Sequence, residues 1–159
     1  MNLNKSPPNF KRIKMIQRIQ SIFLLLAAAA FFSLFGLDFA SSNAEVSGFL
    51  SDKAFDIQDH IALTILAALG GALALLTIFL FNNRQLQIKL GYGVILLAIA
   101  LPIVAVALFY GQFNALPTNI KLTYGIGLAA PILALIFTGL ANRFINKDEK
   151  LVRSMDRLR

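Results

Sequence analysis

Four stretches of this chain carry no charged residue: 19–37, 61–81, 90–110 and 122–142. Each is close to the roughly 20 residues a helix needs to cross the hydrocarbon core of a bilayer, and together they make up more than half of the 159 residues. A charge at the centre of such a helix costs roughly 2.5 to 3.5 kcal/mol, so lipid demands this absence. A buried soluble core seldom offers four such runs in so short a chain. Composition agrees: 57% of the residues are hydrophobic and 14% charged, against about a quarter charged in ordinary soluble domains. The pattern predicts an all-α integral membrane protein, a four-transmembrane-helix bundle. Residues 15–159 form its single membrane domain, behind a disordered basic arm over 1–14 in which Pro7 and Pro8 bar a helix. The basic arm, the first apolar run and Ser42-Asn43-Ala44 also resemble a signal peptide, but that run exceeds the roughly 7 to 15 residues usual for one.

Lys and Arg set the orientation. The N-terminal arm carries Lys5, Lys11, Arg12, Lys14 and Arg18, and the second loop Arg84 and Lys89. The C-terminal tail carries Arg143, Lys147, Lys150, Arg153, Arg157 and Arg159. Only Lys53 and Lys121 fall in the other two loops, and Asp38, Glu45, Asp52, Asp56 and Asp59 lie in or beside the first. Both termini are therefore expected in the cytoplasm, with a net charge of +7 drawn to anionic lipid rather than to nucleic acid. Tyr92, Tyr110 and Tyr124 near span ends suit the headgroup region.

The spans offer little chemistry. With no Cys and one His, disulfides, iron–sulfur clusters and multi-histidine metal sites are excluded, and no cofactor is expected. Ala67/Gly71, Ala68/Ala72 and Gly70/Ala74 are small-xxx-small pairs that let helices approach closely, within the chain or as a homodimer face. Pro102 and Pro131 should bend their helices and free the carbonyls of Ala98 and Gly127. No ionisable residue lies within a span, which argues against proton-coupled transport. In the first loop Asp52, Asp56, Asp59 and His60 form a weak candidate for metal binding or acid–base chemistry. Their simpler role is that Asp56 or Asp59 caps the second span.

The tail is more specific. Asn146-Lys147-Asp148-Glu149 reads as a variant capping box, and Glu149 precedes Arg153 by four. This predicts a separate, short amphipathic cytoplasmic helix over 147–158. Its apolar stripe is Leu151, Val152, Met155 and Leu158. Such a helix could lie on the cytoplasmic leaflet or dock into a partner. In the N-terminal arm Phe10, Ile13, Ile16 and Ile19 recur every three residues, as an extension of the first helix would require.

Two segments, MIQRIQSIFLLLAA at 15–28 and LANRFINKDEKLVRSMDRLR at 140–159, resemble the two ends of a small uncharacterised membrane family of the Bacteroidota, domain of unknown function 4293. The resemblance implies a four-span inner-membrane protein with cytoplasmic ends. Family members begin at the Met of the first segment, so Met1 to Lys14 is either an extension or precedes a true start at Met15. No functional residue is carried over.

The leading expectation is a non-enzymatic protein of the bacterial inner membrane, an accessory subunit or assembly factor of a larger complex. Its basic ends would meet anionic lipid or a membrane-protein partner through Gln17, Arg18, Lys147, Glu149, Lys150, Arg153, Asp156, Arg157 and Arg159. The alternative is a small-solute or lipid transporter using the proline kinks. A third reading is an enzyme acting on lipid through the Asp52 to His60 segment.

Overall fold

The computed structural model describes residues 10–46, 48–81, 83–113 and 120–156. Four long helices dominate it: α1 (Phe10–Ser33), α2 (Ile61–Phe79), α3 (Arg84–Phe113) and α4 (Ala129–Asp156). All four are long and apolar enough to cross a membrane. Runs of Leu and Ala favour helix, and the helices pack in a ring in which α1 meets α2 and α4, and α3 meets the same two. The outward faces are apolar: Leu25, Leu76, Leu96, Ile103 and Ile132 are each more than half exposed. Water would penalise a coat of that extent, whereas lipid matches it.

Because lipid supplies no hydrophobic drive between helices, close packing must hold them together. The small residues of α2 provide it. Gly70 faces the ring of the fully buried Phe31, and a Cβ there would stand 2.5 Å from Phe31 Cζ. Gly71 faces Phe32 in the same way. Ala67, Gly70, Gly71 and Ala74 are buried, while Ala68 is half-buried and Ala72 exposed. The Ala67/Gly71 and Gly70/Ala74 pairs thus pack within the chain, and Phe31 and Phe32 are their α1 partners.

One end of the bundle is not helical, which corrects the all-α expectation. Strands β1 (Ala40–Ser42), β2 (Ala54–Phe55) and β3 (Leu122–Tyr124) form an antiparallel sheet in the order β2-β1-β3. Ala40 pairs with both Phe55 and Tyr124. Beneath it Phe39, Leu50, Phe55 and Ile57 are buried. Phe55 meets Phe39, Phe49 and Phe109 with ring centroids 5.7, 5.4 and 5.2 Å apart, which fixes the sheet to the end of α3.

The fourth span therefore starts later than residue 122. After β3, Gly125 and Gly127 donate backbone hydrogen bonds to Phe39 O and Asp38 O, both 2.9 Å, and a Cβ on Gly127 would stand 2.6 Å from Asp38 O. Only glycine allows this approach. A 3₁₀ turn (Ile126–Leu128) leads into α4, placing Pro131 in the first turn. Amide hydrogens there have no intrahelical acceptor to lose, so Pro131 removes no bond from the helix interior, whereas the sequence predicts a bend that frees the Gly127 carbonyl. Pro102 does lie inside α3.

At the opposite end, which holds the start of α1, the α2–α3 turn and the end of α4, two further expectations change. Arg84 and Lys89 belong to α3, whose first turn is capped by Asn83 Oδ1 accepting from Leu86 N at 3.1 Å. The tail is not a separate helix, because α4 continues unbroken to Asp156. Asn146 caps nothing; its Nδ2 donates to Asn142 O, one turn back, at 2.9 Å. The reason lies in the buried stripe of α4. Pro131, Ala134, Thr138, Ala141, Ile145 and Asp148 recur at alternating steps of three and four, so the inner face of the span runs past its last apolar residue.

Candidate functional surface at the terminal end of the bundle

Polar side chains are buried where the helices approach this end: Gln20 of α1, Thr77 of α2, Gln87 of α3, and Thr138, Asn142 and Asp148 of α4. Their pairings run antiparallel along α3 and α4. Arg84 Nη2 lies 3.0 Å from Asp148 Oδ2, with the two side chains 19% and 1% exposed. This is a close ion contact without the alignment of a hydrogen bond, since neither Asp148 oxygen has a hydrogen-bond partner among the described residues. Two turns further in, the Asn142 amide fills the notch at Gly91, where a Cβ would fall 2.7 Å from Asn142 Cγ. Between these levels Gln87 Nε2 donates to Thr77 O at 3.0 Å. From residue 84 to 91 this seam spans about 10 Å of helix axis. Among the described residues Gln20 Oε1, Gln87 Oε1 and both side-chain polar atoms of Asn142 have no hydrogen-bond partner.

The inward turn of Asp148 has an outward consequence. With that carboxylate engaged by Arg84, the exposed side of α4 presents Arg143, Lys147 and Lys150 at i, i+4 and i+7, all exposed. With Leu140, Phe144 and Asn146 they line a groove of about 710 Å³. Phe144 is held from behind by Phe23, ring centroids 5.6 Å apart and nearly parallel. Of the residues predicted for contact, the structure thus brings Lys147 and Lys150 together and adds Arg143. Glu149 is half-buried beside them. Gln17 and Arg18 belong to α1, and Arg153 and Asp156 to α4. Arg157 and Arg159 lie outside the described residues.

Sequence reasoning missed Arg84, Gln87, Asn142 and Asp148. The signal was the three-and-four spacing of the α4 stripe, which places Asp148 on the inner face in line with Ala134 and Ala141.

At the sheet end, the carboxylates expected to cap α2 do not. His60 is the cap, in extended conformation with Nδ1 accepting from Ala62 N at 3.2 Å. The aspartates instead close turns: Asp52 Oδ1 accepts from Ala54 N at 3.2 Å, Asp56 Oδ1 from Gln58 N at 2.6 Å, and Asp59 Oδ2 from Asp56 N at 2.8 Å. Asp56 and His60 flank a non-helical turn, so their four-residue spacing does not put them on one helix face. Burial pushes the Asp59 carboxyl above the usual carboxylate range. The Asp56 N–H opposes this, and the charges of Asp56, Asp52 and Asp38 add to it. Among the described residues no three His, Cys, Asp or Glu side chains cluster as metal ligands would. Nearby, an apolar cavity of about 220 Å³ separates the sheet from α3 and α4, with Phe39, Phe55, Pro102, Phe109 and Pro131 among its walls.

The architecture defines a class: a bundle of four helices able to cross a membrane, capped at one end by a small sheet and carrying a basic helix face at the other. A family model described as domain of unknown function (DUF4293) matches residues 16–158, and the chain belongs to that family. No curated protein and no solved structure matches it.

Proposed function

We propose that the chain is a non-enzymatic accessory subunit or assembly factor of a larger complex in the bacterial inner membrane, with both termini in the cytoplasm. The observation that carries this reading is the sorting of charge on α4: Asp148 is drawn inward onto Arg84, and Arg143, Lys147 and Lys150 are left exposed on a helix continuous with the membrane span. A rigid helix that projects cations beyond the last uncharged turn suits contact at the membrane surface. The bias of Lys and Arg toward this end supports a cytoplasmic orientation.

The test is mass spectrometry of proteins that co-purify with the chromosomally tagged chain in mild detergent, compared with an R143Q/K147Q/K150Q variant. Deleting 146–159 would also remove Asp148 and unsettle α4, so substitution is the cleaner perturbation. Stoichiometric partners lost in the variant support the reading; a chain that purifies without partners contradicts it.

A second reading, a small-solute or lipid transporter, draws on Pro102 and Pro131 lining one cavity and on the polar seam at the other end. It requires flux in reconstituted vesicles that Pro102→Ala reduces.

A further inference from the structure

The groove along α4 is amphipathic in a definite order. Leu140 lies in the uncharged run 122–142, and Arg143 is the first cation after it. Leu140 and Phe144 form an apolar floor on the membrane side, and Phe144 is braced by Phe23. Arg143, level with Phe144, and Lys147 and Lys150, about one and two turns beyond it, complete the lining with Asn146 as a further polar group. Among the described residues no carboxylate lines the groove, and none of the three cations is ion-paired. Asp148, on the same helix turn, is 1% exposed and faces Arg84, and Glu149, half-buried, is not part of the groove's described lining.

We infer that this groove is a binding site for a phospholipid carrying two phosphate groups. The inference deepens the reading of the terminal end as a membrane-surface contact and names its ligand. Three considerations select the class. An apolar floor continuous with a membrane span asks for an acyl chain, which a soluble phosphate compound lacks. Unpaired cations ask for an anion. The cations extend from residue 143 to 150, about 10 Å along the helix axis, so one phosphate cannot neutralise all of them and two can.

Native mass spectrometry of the detergent-purified full chain tests the site, with phosphatidylcholine, phosphatidylglycerol and cardiolipin as probes. One cardiolipin should be retained at concentrations where phosphatidylglycerol, supplied at twice the molar amount to match charge, is not. Each cation contributes about a factor of five, so R143Q/K147Q/K150Q should weaken cardiolipin binding on the order of 100-fold and K147Q alone about fivefold. Lys89→Gln, an exposed cation at the same end, should leave it unchanged. The graded single variant keeps the test valid if the triple variant fails to fold.

Equal retention of the two anionic lipids at matched charge would overturn the site in favour of diffuse attraction. So would an effect of K89Q equal to that of K147Q. Displacement of cardiolipin by pyrophosphate at equal concentration would show that the acyl floor has no part in binding. Because the assay contains no partner protein, a parent chain that purifies without partners while it still binds cardiolipin contradicts the accessory-subunit reading alone. The reverse outcome contradicts the lipid site alone.

Discussion

Replacing Arg84 with Leu leaves the Asp148 carboxylate without its cation in a position only 1% exposed. Removing one partner of a buried ion pair costs about 3 to 5 kcal/mol, because the remaining charge has lost both water and its counterion. Asp148→Asn is expected to be milder, at about 1 kcal/mol. Arg84 is 19% exposed and its long side chain can carry the guanidinium to water once the carboxylate is gone. Replacing both residues with Leu should come close to neutral, since a buried pair exchanged for apolar packing recovers the desolvation penalty. The three variants therefore order as R84L far below D148N, with the double variant above R84L. Thermal unfolding in detergent followed by far-UV circular dichroism measures this. A chain in which D148N is as damaging as R84L, or in which the double variant equals the sum of the single ones, would refute the assignment of a buried, coupled pair.

Gly70→Ala should cost about 1 to 3 kcal/mol by overpacking, and more than Gly71→Ala, because Phe31 is fully buried and fixed while Phe32 is 42% exposed and able to turn away; Phe31→Leu should restore much of the loss in the same melts. His60→Ala removes the α2 cap and should cost about 1 kcal/mol, whereas His60→Asn keeps an acceptor and should be nearly neutral. The raised Asp59 carboxyl means that the folded state holds a proton the unfolded state has released, so stability falls as pH rises from the ordinary value of 3.8 through the raised one. Melts of Asp59→Asn across that range should show a flatter pH dependence than the parent chain.

The spans are legible because lipid punishes charge, and an absence of charge over about 20 residues leaves an unmistakable mark. The same rule misplaces their ends. Leu122, Thr123 and Tyr124 are uncharged and so look like span, yet they pair with β1; a three-residue strand is too short to show a two-residue period, and its partner lies about 80 residues away. At the end of α4 the rule errs the other way, because Arg143 and Lys147 look like an exit from the helix while Ile145 and Asp148 continue the stripe of Ala134 and Ala141. Asp148 is hidden for a related reason: with Asn146 and Glu149 beside it, local capping explains it without any long-range partner, and Arg84 is 64 residues away. The close fit of Gly70 on Phe31 is half legible, since small residues announce an approach but not which helix approaches.

Labelling of single cysteines tests the architecture most directly, and the chain has none of its own to remove. Ser51, Gln85 and Ser154 are exposed, in the first loop, in the first turn of α3 and near the end of α4. In bacterial spheroplasts a membrane-impermeant maleimide should modify Ser51→Cys from outside, and modify Gln85→Cys and Ser154→Cys only after lysis. Labelling of Gln85→Cys or Ser154→Cys in the intact spheroplast would contradict a four-span chain with its basic end in the cytoplasm.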